Sequence, residues 1–491
     1  MRLAKLLTLA FACGSASALP VIVLPWFGHI SLEGLVGYLG YTSDFAQDET
    51  IYQVLKDDKQ YSCLVKAIDL SESVVALLND PSKSLTFFAL PDSKFPCHHK
   101  HHHGDHGHEA VPFFADSPDD VSHGLGDLIQ RAEELEKEPE SRDKEKRKQA
   151  LARIIRKIIE YHILPESYEA AELVQNSTYA TSLTLDDGSM DSQPLRLSIL
   201  SISLPPHLRI NINVFVEVTK RDIKAKNGVI HQISHPLLPP PSIFQETFFV
   251  PEVFSFFTSA IQRVGLTGAI DHLRCSKHGN NVGFLGATAT TVFTPTSGAF
   301  KRLPRKLRRY LFSPFGRKAL KKLLEYHIVP NFVFHTDYFH NATSNVTESG
   351  GCFEDALAME SALQIPALLD DDDDDDDEHF ALSTNTGPIS QLVYEYNATL
   401  PTLLQGHHLR VHVARYKSKW PIPGSARYFT RFKVNGRRVG PYDIPARNGA
   451  LHVVSTILNP RKGRDHYVDS GDDEAAWDAW EEWLPQWAVD N

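Results

Sequence analysis

Three stretches of this 491-residue chain are written twice, in the same order. TFFALPDSKF, Thr86 to Phe95, returns as TVFTPTSGAF, Thr291 to Phe300. RKIIEYHILPE, with Tyr161 and His162, returns as KKLLEYHIVPN, with Tyr326 and His327. KNGVIHQISHPLLPP, from Lys226, returns as RNGALHVVSTILNPR, from Arg447. Three matched blocks in one order are a tandem duplication, so the chain must fold as two versions of one unit. Its length also exceeds one ordinary core, and 42% hydrophobic residues leave apolar material for two.

Each block has a local job. Thr291-Val292-Phe293 alternates as a strand, Pro295 ends it, and Thr296 or Ser297 caps a helix that plants Phe300 in the core. The earlier copy uses Asp92 or Ser93 as cap and Phe95 as anchor. In the second block Leu320, Leu323 and Leu324 share a helix face, and Pro330 ends the short apolar run after it. In the third, Asn227-Gly228 and Asn448-Gly449 turn the chain into strands whose alternate residues, Val229 and Ile233 or Leu451 and Val453, are apolar.

Read in order, TVFTPTSGAF, LLEYHIVP and NGALHVV resemble the first box, the tyrosine-histidine motif and the closing box of the fasciclin-type (FAS1) domain. The resemblance implies an α+β chain of two tandem FAS1-like domains, each a β-wedge of two small, mostly antiparallel sheets with packed helices, of fungal secreted type. It covers residues 48–240 and 244–462, and it implies cell adhesion and matrix binding. The first copy has Leu90-Pro91 where the family box reads Pro-Thr, which bears on its binding rather than its fold.

Spacing locates the insertions. Phe95 to Tyr161 is 66 residues, against 26 from Phe300 to Tyr326, which marks 97–148 in the first repeat. Tyr326 to Asn448 is 122, against 66 from Tyr161 to Asn227, which marks 350–395 in the second. Both are partly low in complexity and read as mobile surface loops. HPLLPPPSI joins the repeats as a linker stiffened by proline.

At the N-terminus, Arg2 and Lys5 precede LLTLAFACGSASA, the pattern of a signal peptide cleaved after Ala18. Residues 19–47 then follow as an N-terminal segment; the alternative is an uncleaved anchor, because the chain stays uncharged to Ile30. The C-terminus lacks the hydrophobic tail of a lipid-anchor signal. Cleavage removes Cys13 and leaves Cys63, Cys97, Cys275 and Cys352, and the economical pairing of the three possible is Cys63–Cys97 with Cys275–Cys352. Sequons at Asn176, Asn341, Asn345 and Asn397 agree with passage through the secretory pathway.

Five features carry candidate chemistry. His162 and His327 could act as bases, but spacing supplies no nucleophile; a buried imidazole donating to a backbone carbonyl is the competing reading. The resemblance gives Tyr161, His162, Tyr326 and His327 that structural role, beside a surface proposed to bind adhesion receptors. His98, His99, His101, His102, His103, His106 and His108 crowd a loop able to hold zinc, copper or nickel loosely, without the spacing of a structural site. The acids Asp370 to Glu378 read as a solvated insertion, with weak calcium binding as the alternative. Lys301, Arg302, Arg305, Lys306, Arg308, Arg309, Arg317, Lys318, Lys321 and Lys322 lie in a stretch without an acid, and helical spacing of Leu303, Leu307 and Leu311 puts them on the outer faces of two short helices. Trp477, Trp480, Trp483 and Trp487 form a stripe in the acidic tail 463–491, suited either to folding back or to seizing a partner groove.

No nucleophile elbow, H-E-x-x-H, phosphate-cradling loop or C-x-x-C is present, and no cofactor is indicated. A formal net charge of −11 argues against nucleic acid as partner. The expectation is a non-enzymatic, secreted protein of the cell surface, wall or matrix. Its partner would be a surface or matrix protein, an acidic polysaccharide or an anionic membrane. The alternatives are a vacuolar or endomembrane lumenal factor, anchored at its N-terminus, and a metal-handling or enzymatic protein.

Overall fold

The computed structural model describes residues 22–24, 27–30, 48–94, 125–204, 207–276, 282–342, 390–419, 426–463 and 477–489. The signal segment, the histidine cluster, the aspartate run, Phe95, Cys97, Asn345 and Cys352 lie outside them. Met1–Asp48 is a unit by itself, in which Ile22–Leu24 and Phe27–Ile30 pair antiparallel. Both repeats belong to Glu49–Asn491.

Each repeat starts with the same cap. Thr50 heads the helix Ile51–Asp57 and Ser242 the helix Ile243–Phe249; in both, a glutamine three residues on completes a capping box. The repeated boxes then meet in one sheet. Leu85–Ala89 runs parallel to Gly228–Ile233 with Phe87 opposite Ile230, and Thr290–Pro295 runs parallel to Gly449–Val454 with Val292 opposite Leu451. The short strand after the Tyr-His pair, Ile163–Leu164 or Ile328–Pro330, adds antiparallel on the other side. The three boxes are spelled twice because they are neighbours at the centre of each unit.

The second repeat has two four-stranded sheets: Ile328–Pro330, Thr290–Pro295, Gly449–Val454 and Ile444–Ala446 in one, and Ser390–Pro401, His408–Lys419, Ala426–Val434 and Arg437–Arg438 in the other. In the first repeat the corresponding ladders join into seven strands. Val216–Ala225 makes the join, pairing first with His207–Ile212 and then, through two register shifts, with Gly228–Ile233.

The central strands depart from the expected alternation, since Leu85–Ala89, Thr290–Pro295 and Gly449–Val454 are buried at every position. Covering on both faces explains this. Val292 and Leu451 join a helix-side cluster with Phe300, Leu320 and Leu324, while Phe293 and Val454 join a sheet-side cluster with Val413 and Phe432. The first repeat builds its cluster around Phe87, Ile155, Ile159 and Ile230, and Ala289, Val333, Ala342 and Ala450 of the second repeat pack into it.

Two further expectations are corrected. The charged part of the first insertion is helical rather than loop: Leu125–Lys137 buries Leu125, Leu128, Ile129, Ala132 and Leu135, and Arg142–Tyr161 begins inside the insertion. Apolar residues recurring every three or four positions outweigh the high charge there. Asp92 does not cap a helix of its own; its carboxylate accepts from the Ser62 and Cys63 amides at 3.0 and 2.9 Å, at the start of Ser62–Asp69. In the second repeat Thr296 is the cap, accepting from the Ala299 amide at 3.1 Å, and Phe300 is buried. The linker prolines 239–241 are buried as well.

Matching hairpin turns differ in one informative residue. Asn213-Val214 and Asn435-Gly436 both hold positive φ, and Val214, at 73°, occupies the position where the second repeat has Gly436 at 75°. A β-branched residue is strained there. Val214→Gly is expected to stabilise the protein by about 1 kcal/mol, read as a raised midpoint in urea with an unchanged slope.

Candidate functional site

The Tyr-His pairs end the helices Arg142–Tyr161 and Arg317–Tyr326 and are closed off from solvent. His162 Nδ1 donates to the Ile158 carbonyl at 2.8 Å, and its Nε2 accepts from the Leu237 amide at 3.0 Å. His327 repeats this with Leu323 at 2.7 Å and Leu458 at 3.0 Å. Both nitrogens are used, so the tautomer is set and neither ring offers a lone pair to a substrate. Burial lowers both pKa values to about 4. The tyrosine hydroxyls donate to the Arg196 and His408 carbonyls, at 2.9 and 3.2 Å, and accept from Asn213 and Asn435, at 2.9 and 2.7 Å. These four residues bolt a helix end to the hairpin below it.

The structure adds polar residues that the motif reading missed. Asn227 accepts from the Ile51 amide at 2.8 Å and donates to the Leu78 and Asp80 carbonyls, both at 3.0 Å. Asn448 does the same with Ile243 at 2.9 Å, Ile270 at 3.2 Å and Ala287 at 3.0 Å. His231 and His452, buried in the closing strands, take the opposite tautomer: Nε2 donates to the Tyr168 or Phe334 carbonyl, at 2.9 or 2.8 Å, and Nδ1 accepts from the Asp222 or Asp443 amide, at 3.3 or 3.1 Å. The signal was present, since DIKAKNGVIH and DIPARNGALH align over ten positions and are identical at six.

The repeats meet through a buried polar junction. Asp337 accepts from the amides of Ser177 and Thr178, at 2.8 and 2.7 Å. Arg415 donates to Ser177 Oγ at 2.6 Å and to the Val174 carbonyl at 3.0 Å, and Asp187 pairs with Arg447. His335 is fully buried there, and neither of its ring nitrogens has a hydrogen-bond partner among the described residues.

The basic stretch forms the helices Arg305–Leu311 and Arg317–Tyr326, joined at Ser313–Gly316, with Leu303, Leu307, Leu311, Leu320, Leu323 and Leu324 inward. Lys301, Arg302, Arg305, Lys306, Arg309, Arg317, Lys318 and Lys321 are exposed; Arg308 and Lys322 are half-buried. Arg302 donates to the Ser455 carbonyl at 2.7 Å and Arg308 to the Lys301 carbonyl at 3.2 Å, while Lys321 lies 3.9 Å from Glu325. Lys322 reaches the Trp487 carbonyl at 2.9 Å, because the tail helix Trp480–Val489 packs against Arg317–Tyr326. The tryptophan stripe therefore folds back, with Trp477 and Trp480 buried and Tyr310 5.3 Å from the Trp480 ring.

Cys63 carries a free thiol; Cys97 and Cys352 are not among the described residues, and of Cys275 only the backbone is. Asn176, Asn341 and Asn397 are exposed. His98, His99, His101, His102, His103, His106 and His108 lie outside the described residues, among which no group of three or more His, Cys, Asp or Glu is placed to hold a metal ion. No described helix is long and apolar enough to cross a membrane.

With its motif side chains turned inward, the fold defines a tandem α+β scaffold. The family model described as Fasciclin domain matches twice, at residues 136–239 and 252–356, and the chain carries two fasciclin domains in tandem. It is 27% identical over 183 residues to Stabilin-1 of Homo sapiens and 28% identical over 131 residues to Stabilin-1 of Mus musculus. Those matches take in 35% and 25% of this chain but span only 6% and 5% of the relatives' own length. Aurofusarin biosynthesis cluster protein S of Gibberella zeae is 43% identical over 49 residues, 10% of this chain and 12% of that protein. Among solved structures, a FAS1 domain pair from the insect cell adhesion molecule fasciclin I aligns at 14% identity and a TM-score of 0.27, covering 82% of this chain and 97% of that one.

Proposed function

We propose that the chain is a secreted, non-enzymatic binding protein that serves adhesion or attachment at a cell surface, wall or matrix. The observation that carries this reading is the cation-lined pair of helices, Arg305–Leu311 and Arg317–Tyr326, held rigid by buried leucines and the tryptophan tail. A fixed array of cations loses little freedom when it docks on an acidic matrix protein or polysaccharide. Secretion is part of the reading, with Asn176, Asn341 and Asn397 as exposed acceptors for glycans.

The test compares retention on cell-wall and matrix extracts of the intact chain and of one carrying glutamine at Lys301, Lys306, Arg309, Arg317, Lys318 and Lys321. Retention should fall about tenfold or more, and added salt should weaken the intact chain steeply. Equal retention of the two proteins would dispose of this face as the binding surface.

A further inference from the structure

A second cationic surface, far from the basic stretch in sequence, is assembled by strand pairing. In the sheet Ser390–Pro401, His408–Lys419, Ala426–Val434 and Arg437–Arg438, one face carries Leu409, Val411, Val413, Phe432 and Val434, all buried. Alternation puts Arg410, His412, Tyr416, Arg427, Phe429, Arg431 and Lys433 on the other face, and every one is exposed or half-exposed. Register sets them side by side: His412 opposite Lys433, Ala414 opposite Arg431, Tyr416 opposite Phe429, and Lys433 opposite Arg438.

Tyr416 and Phe429 stack with centroids 5.2 Å apart, and the Arg431 guanidinium lies over the Tyr416 ring at 5.2 Å. Like charges so placed repel. Among the described residues no carboxylate pairs with Arg410, Arg427, Arg431, Lys433 or Arg438, and Glu395, on the same face, is bound to His412 Nε2 at 2.8 Å. Repulsion of this kind persists in a stable sheet at a cost, which a polyanion would offset.

We propose that this face binds a linear acidic polysaccharide, a chain of uronate or sulfated sugars. Its charge is one-signed and runs along a strand, where alternate residues are spaced about 6.8 Å, so it suits an extended ligand with regularly repeated charge. An acidic protein partner would need an apolar anchor pocket, and the centre of this face is Arg431 beside Ala414. Single-stranded nucleic acid would need a row of open rings for successive bases, and here Tyr416 is stacked on Phe429 and lies under Arg431. The inference goes beyond the proposed adhesion role and uses none of the residues that role rests on.

The test measures affinity for immobilised heparin and polygalacturonate across rising salt. N-glycans are removed first, because Asn397 stands opposite His412 on this face. The full chain should bind at least one of the two polymers. Arg427→Gln, Arg431→Gln and Lys433→Gln together should weaken binding by about tenfold or more and flatten its salt dependence, with an unfolding midpoint no lower than that of the intact chain, because the repulsion is relieved. The same loss should appear when the helix cations Lys301, Lys306, Arg309, Arg317 and Lys318 have already been neutralised, which separates this site from the other. Three results would overturn the proposal: no binding to either polymer, triple-variant binding within about twofold of the intact chain, or equal competition by single-stranded DNA of matched charge. A gain of about tenfold on replacing Asp370 to Glu378 by serine and glycine would also overturn it, by making the chain's own acidic run the occupant.

Discussion

Replacing Gly449 with alanine is expected to leave the second repeat unable to fold. Gly449 has a φ of 144°, and a Cβ added there would fall 1.7 Å from the backbone carbonyl oxygen of Thr290, its partner across the parallel ladder. The obstruction is backbone, so no rotamer change relieves it, and opening the ladder would part Val292 from Leu451 in the core. The expected loss is about 4 kcal/mol or more, seen as a missing second-repeat transition in thermal unfolding. Gly228 is the equivalent position, where an added Cβ would fall 1.9 Å from the Leu85 oxygen. Gly406→Ala is the control: its φ is 74°, nothing lies within 4 Å, and the cost should be about 1 kcal/mol. A Gly449→Ala protein that melts like the Gly406→Ala protein would refute the close-packed parallel pairing.

The second large effect is acid lability. Burial lowers His162, His327 and His452 to about 4 and His335 to about 3, and also lowers His231 and His272. Unfolded histidine titrates near 6.5, so between about pH 4 and 6.5 the unfolded chain binds more protons than the folded one, and stability must fall as the pH drops. Each fully buried ring contributes a pH-dependent loss of roughly 3 kcal/mol over that window. Five acids oppose this, Glu246, raised to about 8, with Glu160, Asp271, Glu325 and Asp443 also raised, all chiefly by burial. They bind protons preferentially in the folded state, but they are outnumbered by the six histidines. At pH 6.5 the unfolded histidines are still half-protonated, so stability should go on rising to a peak near pH 7, and above it the acids should make it decline gently toward 8. Unfolding midpoints measured from pH 4 to 8 test this, and a midpoint that is flat or rising toward acid would contradict the neutral, buried state of these rings. His327→Gln should also make the acid slope shallower by about one proton.

Much of the scaffold is legible in the chain because the duplication compares the protein with itself. Positions that match across two hundred residues are those the fold needs twice: the tyrosine and histidine at the helix end, the turn asparagine, and the glycine after it. Two shorter matches become plain only beside the structure. Thr50-Ile-Tyr-Gln53 and Ser242-Ile-Phe-Gln245 mark both domain starts, and Asp222 and Asp443 extend the closing box upstream. Asparagine before glycine reads as a turn, which it makes, but its side chain also ties a helix start, a helix end and a loop together. That second role depends on partners 161 to 205 positions away, and no local pattern carries them. The helix Leu125–Lys137 hides behind its charge, because composition there points to a loop while periodicity points to a helix.

The amino-acid sequence by itself determined that there are two copies of one unit, which strands and helices the boxes begin, and that a row of cations faces outward between Lys301 and Lys322. Those properties are local, or are visible by self-comparison. Only the tertiary structure decided the tautomers of the buried histidines, the polar junction between the repeats, the docking of the tryptophan tail, and the cationic sheet face. Each of these depends on which distant strand or helix lies alongside. Strand register turns Arg431, Tyr416 and Phe429 into one surface, and it is set by the packing of Phe432 and Val413 on the opposite side.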